Sequence, residues 1–259
     1  MTDAALGQVR IEVDGEGPAI LFVHGLGGTS NSFQMLLGAF PGFRSLRPDL
    51  PGSGRSPTPF GALTMGGFVE TIGDIVRKIA GGPVHLVGHS MGALICQHLA
   101  ALMPESVTGM TLFGPIFEPS EAARQRLRDR AGMARREGLV AIADAAMGAL
   151  SSAARAANPL AGPFVRESHM RQDSEGFAQS CEALADSHAA DLRLVRCPTL
   201  LVTGAEDSVA PPSAAQAIAD RLRGSAVKVL EHCGHWTPVE RPEDCARLLG
   251  EHVRASCLR

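Results

Sequence analysis

The chain has 259 residues, 45% of them hydrophobic and 20% charged, a balance that builds a packed core and lies far from the composition of disordered segments. Its 24 Lys and Arg against 27 Asp and Glu give a formal net charge of -3, which supplies no electrostatic footprint for nucleic acid, so no nucleic-acid partner is expected. No run approaches the ~20 apolar residues of a membrane span, and residues 1–13 lack the apolar stretch of a secretory signal, so a cytoplasmic protein with no membrane partner is expected.

In chain order, short apolar or β-branched runs bounded by Gly, Pro or Asp fall at 9–13, 19–23, 43–47, 84–87, 110–113, 199–202 and 227–230. Most are continuous rather than alternating, the pattern of strands buried on both faces. Apolar residues at helical spacing predict helices over 65–79, 91–103, 212–222 and 242–253, the last two opening on Pro212 and Pro242 in the first turn. Strands alternating with helices predict an α/β fold, a doubly wound and mostly parallel sheet whose sites form at the carboxyl ends of the strands. The rhythm breaks from 118 to 194, where alanine- and arginine-rich stretches at 121–137, 139–150 and 176–188 favour helix and no strand pattern occurs. This predicts a helical cap inserted into a core made of 1–117 and 195–259, placed to cover a site at the strand ends.

The strongest local signal is Gly88-His89-Ser90-Met91-Gly92, a G-x-S-x-G between a predicted strand and a predicted helix. In that setting the glycines relieve crowding at a sharp turn, and Ser90 projects from it as a candidate nucleophile. A serine hydroxyl at its free pKa is a poor nucleophile, so a base and a group to orient it are required. His235 in Cys233-Gly234-His235-Trp236 and Asp207 in Thr203-Gly204-Ala205-Glu206-Asp207 both follow predicted strands on the same edge, in the order Ser, Asp, His. Glu206 competes with Asp207 for the orienting role and reads as a solvated loop charge. Of the other histidines near that edge, His232 follows its strand too closely, His89 points away from the serine, and His24 opens His24-Gly25-Leu26-Gly27-Gly28. That glycine-rich segment suits an oxyanion hole, with the Leu26 and Met91 amides as donors. Its glycines do not read as a nucleotide loop, since neither G-x-G-x-x-G nor a following Gly-Lys-Ser/Thr is present.

Asp49-Leu50-Pro51-Gly52-Ser53-Gly54-Arg55-Ser56 reads as a structural turn. Trp236, Val209 and Phe113 are candidate substrate-binding residues; the arginines 124, 126, 128, 130, 135 and 136 read as a solvated helix face. Six scattered cysteines without a CxxC pair read as reduced, mostly buried side chains, and no metal or organic cofactor is required.

With those motifs in view, the chain resembles the α/β-hydrolase superfamily over nearly its whole length, through the His24-Gly25 segment, the Asp49–Ser56 turn, the Ser90 elbow and the Asp207 and His235 loops. Arg196-Cys197-Pro198-Thr199 onward to Asp207 and Pro211-Pro212, with Gly88 to Gly92 and the helical insertion, is most similar to 3-oxoadipate enol-lactonases and related bacterial esterases. That resemblance implies hydrolysis of a small ester or lactone through an acyl-enzyme. Cys233-Gly234-His235-Trp236 also resembles the histidine loop of hydrolases that cleave carbon-carbon bonds in ring-fission products, although those carry asparagine where His89 stands. Epoxide hydrolases and haloalkane dehalogenases place aspartate where this chain has Ser90. A further alternative is a non-catalytic ligand receptor of the same fold. Oligomeric state has no signature in the sequence.

Overall fold

The computed structural model describes residues 2–257. Eight strands, β1 (Thr2–Leu6), β2 (Val9–Asp14), β3 (Ala19–Val23), β4 (Arg44–Pro48), β5 (Val84–His89), β6 (Val107–Phe113), β7 (Thr199–Gly204) and β8 (Ser225–Leu230), form one sheet in the order β1-β2-β4-β3-β5-β6-β7-β8. Pairing is antiparallel from β1 to β2 and from β2 to β4, and parallel from β4 onward. Flanking helices are α1 (Met65–Lys78), α2 (Met91–Leu102), α8 (Pro212–Ala219), the short α9 (Thr237–Glu240) and α10 (Pro242–Cys257). Between β6 and β7 the chain runs through α3 (Glu121–Glu137), α4 (Val140–Ala146), α5 (Ser152–Ala157), α6 (Ala161–Met170) and α7 (Ser174–Ala185), with no strand among them.

The central strands are apolar throughout because helices cover both faces. On β3, Leu21 and Val23 join a core with Ile72, Leu86, Leu94, Leu112 and Ile218, while Ile20 and Phe22 join the opposite core with Phe33, Val87, Val202, Leu249 and Val253. This is the two-residue alternation of a strand, hidden in the sequence because both sides are buried.

The structure extends or shifts several expected boundaries and adds β1, whose Thr-Asp-Ala-Ala-Leu run lacks a β-branched pattern and is held by antiparallel pairing with β2 at the sheet edge. Among the described cysteines, Cys96, Cys181, Cys197, Cys233 and Cys245 are buried and free; Met1 and the side chain of Cys257 lie outside the described residues. No described helix is long and apolar enough to cross a membrane.

Register brings the strand exits together. Val23 pairs with Gly88, His89 with Phe113, Phe113 with Val202, and Gly204 with Leu230, so the loops after β3, β5, β7 and β8 leave one edge side by side. These four loops carry His24–Gly28, Ser90, Asp207 and His235.

Candidate active site

Ser90 sits between β5 and α2 at φ 54° and ψ -117°, a backbone region that costs a residue with a side chain about 1–3 kcal/mol. The turn closes because its amide donates to Phe113 O at 3.0 Å and its carbonyl accepts from Ala93 at 2.9 Å. Both glycines are steric requirements: a Cβ on Gly92 would lie 2.0 Å from Val23 O, and one on Gly88 2.6 Å from Ala93 Cα. A serine at the start of a helix ordinarily caps it. Here it makes no capping bond, and its Oγ lies 2.9 Å from His235 Nε2.

The remainder of the chain of polar contacts is equally short. His235 Nδ1 donates to Asp207 Oδ2 at 2.8 Å, and the second carboxylate oxygen of Asp207 accepts the Val209 and Ala210 amides, each at 2.8 Å. Burial alone pushes the Asp207 carboxyl up, but His235 and those amides more than offset it and hold the group below the usual carboxylate range. Asp207 is ionised at neutral pH and fixes the imidazole with Nε2 toward the serine. Glu206 instead turns outward, 3.8 Å from the exposed His232 ring. The two loops lock to each other, since Ala205 and Glu206 donate to Leu230 O and Cys233 O, both at 2.9 Å.

The His24–Gly28 segment passes beside the serine. A Cβ on Gly25 would meet Ser90 Cβ at 2.8 Å, and one on Gly27, at φ 73°, would meet His169 Nε2 at 2.3 Å. His24 is buried, which lowers its pKa, and works as a brace: Nδ1 donates to Gly25 O at 2.9 Å and Nε2 accepts the Leu50 amide at 3.0 Å. The Asp49–Ser56 turn supports the same loop, its Asp49 carboxylate accepting from the Ser30 amide at 2.7 Å and from Arg55 Nε at 2.8 Å. Among the described residues, neither the Leu26 nor the Met91 amide donates to a protein acceptor, as expected for a first-turn amide at Met91.

Two contributors escaped the sequence reading. His89 does not simply point away: Nε2 donates to His235 O at 2.9 Å, and its ring lies 5.1 Å from that of His235 and 5.0 Å from that of Trp236. Glu240, buried at the end of α9, accepts three amides at 2.8 Å each, from Gly234, Trp236 and Ser151. It thereby grips both neighbours of His235 and ties them to the inserted helical segment, which in turn accepts the His235 amide at Ala149 O, 2.9 Å away. Burial pushes its carboxyl above the usual range against the pull of those amides.

Glu240→Gln leaves one amide facing a donor in a buried site, which costs about 1–3 kcal/mol. Steady-state kinetics of that variant on any substrate of the wild-type enzyme are expected to show kcat down by roughly 10- to 100-fold with KM little changed, because His235 loses its set position. Wild-type kcat in a folded Glu240→Gln protein would show that the loop holds itself.

The serine and histidine open into a cavity of about 910 Å³, walled on the sheet side by Leu26, Trp236 and Val209 and on the helical side by residues of α3 and by His169. Trp236 is both wall and core, since it also packs on Leu150, Val165 and Val239. Val209 lies at the rim and is 54% exposed. Phe113 does not line the cavity: strand alternation on β6 sends its side chain into the core beneath the sheet, with Phe33 and Val202, and only its carbonyl reaches Ser90.

Burial holds three histidines neutral. His85 and His89 are lowered to about 3, His89 also by the neighbouring His235, and His169 is lowered to about 4 with Nδ1 donating to Val165 O at 2.8 Å. Since the folded values lie below the unfolded one near 6.5, the unfolded chain takes up protons that the folded chain refuses as pH falls below about 6.5. Their contribution is therefore complete at neutral pH and declines by about 2 kcal/mol for each histidine by pH 5. Urea unfolding is expected to show a markedly lower midpoint at pH 5 than at pH 7.5; equal midpoints would contradict burial of these rings in the neutral form.

A serine, an imidazole and a carboxylate in one hydrogen-bonded line, on a sharp strand-to-helix turn of a doubly wound sheet, match the geometry of a class of hydrolytic sites. The chain belongs to the α/β hydrolase family, whose profile matches residues 20–248, and it is a hydrolase of that family. It is similar to 3-oxoadipate enol-lactonase 2 of Acinetobacter baylyi, 26% identical with 87% of this chain and 85% of that protein covered. It is also similar to the pimeloyl-[acyl-carrier protein] methyl ester esterase of Aromatoleum aromaticum, 29% identical with 92% and 98% covered. A solved structure of a thermophilic esterase from Thermogutta terrifontis matches with a TM-score of 0.88 at 26% identity, covering 96% of this chain and 94% of that one.

Proposed function

We propose that the protein is a serine hydrolase that cleaves a small carboxylic ester or lactone through an acyl-enzyme. The observation that carries this reading is the continuous line from Ser90 Oγ to His235 to Asp207, with contacts of 2.9 and 2.8 Å, whose serine and histidine line the cavity. The esterases and lactonase among the similar proteins support it.

In the first step Ser90 Oγ bonds to the substrate carbonyl carbon while its proton passes to His235 Nε2, and the carbonyl π pair moves onto oxygen. The Leu26 and Met91 amides hold that oxyanion. Its collapse breaks the bond to the leaving oxygen, which takes the proton from His235 and departs, or stays tethered in the case of a lactone. Water then attacks the acyl carbon as His235 removes its proton, and the acid leaves as Ser90 regains its hydrogen. Asp207 remains ionised and stabilises the imidazolium in both halves. Trp236 and Val209 flank the acyl group, and residues 118–194 act as a cap over it.

The test is turnover of an enol-lactone, short 4-nitrophenyl esters and a ring-fission dienoate. Hydrolysis of the lactone or esters with little action on the dienoate supports the reading. Preference for the dienoate would move the protein to the carbon-carbon hydrolases, and no turnover of any of them by a folded protein would favour a ligand receptor.

A further inference from the structure

The six arginines of α3 fall into two groups. Arg124 pairs with Glu118 at 2.9 Å, Arg128 with Asp186 at 2.8 Å, Arg135 with Glu175 at 2.8 Å and Glu182 at 2.5 Å, and Arg136 with Glu137 at 3.6 Å. Arg126 and Arg130 have no carboxylate within ion-pair distance among the described residues, and they are the two that line the Ser90 cavity. Four residues apart, they share one face of the helix, where two like charges repel unless an anion lies between or beside them.

The carboxylate that shares the cavity lining with them is already engaged. Glu118 also lines the cavity, but Arg124 holds it at 2.9 Å and His188 at 3.3 Å. Asp207 is committed to His235, and His169 is neutral, its protonation opposed by burial first and then by the charge of Arg130. The cavity lining therefore includes two guanidiniums with no ion-pair partner among the described residues, each offering a planar fork of donors suited to carboxylate or phosphate oxygens.

We infer that the substrate carries an anionic group, a carboxylate or a phosphate, remote from the scissile carbonyl, and that Arg126 and Arg130 recognise it. The inference rests on the serine hydrolase reading and names the substrate class of that site: an anionic ester or lactone, with the charge directed to the cap and the carbonyl to Ser90.

Mono-4-nitrophenyl adipate and 4-nitrophenyl hexanoate present the same acyl length with and without a terminal carboxylate. The wild-type enzyme is expected to favour the adipate in kcat/KM by about tenfold or more, the scale of one or two charged hydrogen bonds. That ratio falls about tenfold in Arg126→Gln/Arg130→Gln and inverts in Arg130→Glu, whereas Arg128→Gln, on the outward ion pair with Asp186, keeps it. Competitive inhibition by succinate against inorganic phosphate ranks the two anions, and both inhibitions weaken in the double variant. Hydrolysis of both esters without preference, or a preference that survives the double variant, overturns the inference while leaving the hydrolase reading in place. Failure of the folded enzyme to act on either ester or on an enol-lactone overturns both.

Discussion

Replacing Ser90 with alanine is expected to lower kcat for ester or lactone hydrolysis by about 10⁴-fold or more, because in the proposed mechanism the Leu26 and Met91 amides and the cavity remain while the hydroxyl aligned with His235 is gone. The loss is one of chemistry and not of folding. Ser90 contributes no helix cap, and its hydroxyl is held by His235 alone, so the sheet, the elbow and the cavity walls keep their contacts. The backbone geometry yields a second, opposite effect. At φ 54° and ψ -117° a glycine is at ease where any side chain is strained, so Ser90→Gly is expected to be inactive yet more stable than Ser90→Ala by about 1–3 kcal/mol in urea unfolding. A glycine variant no more stable than the alanine one would mean that the elbow stores no strain.

The second large effect separates two adjacent carboxylates. Asp207→Asn keeps the shape of the side chain, but its amide can donate to His235 Nδ1 and so stabilise the wrong tautomer; a loss of about 10⁴ in kcat at neutral pH is expected. The same substitution removes the charge that stabilises the imidazolium formed at each step. Glu206→Gln is expected to stay within a few-fold of wild type, since Glu206 faces solvent beside His232 and touches none of the reacting groups. Kinetics of the two variants side by side distinguish the roles, and comparable losses in both would contradict the assignment of Asp207.

Much of this site is legible in the sequence because its causes are local. Gly88 and Gly92 flank Ser90 for a steric reason that a five-residue motif records, and Asp207 and His235 stand out as polar residues in the loops that follow apolar strand runs. Glu240 left no such mark. Its partners are backbone amides, which every residue carries, so nothing in the sequence distinguishes it from a helix-end surface charge. The orientation of Phe113 is hidden in the sequence for a related reason: a strand buried on both faces shows no alternation, and without it the side on which residue 113 lies has no signature. The arginines of α3 needed the third dimension as well. Four do form a paired outer face, but the acids that pair three of them, Asp186, Glu175, Glu182 and Glu118, come from α7, the residue that caps its end and the approach to α3, and only their positions show that Arg126 and Arg130 are left toward the cavity.

The fold follows the same division. Strand and helix alternation gave the doubly wound sheet, and the run at 227–230 becomes β8, whereas β1 depends on its neighbour β2 for pairing that short-range patterning does not encode. Edge strands are defined by the partner they find.

The most direct test of the central claim is labelling of the intact protein with a small fluorophosphonate, followed by peptide mass spectrometry. One equivalent of phosphonate on the peptide containing Ser90, absent from Ser90→Ala and greatly slowed in Asp207→Asn, is the result expected of a serine activated by His235. A folded protein that takes up no label, or takes it up on another residue, would contradict the account.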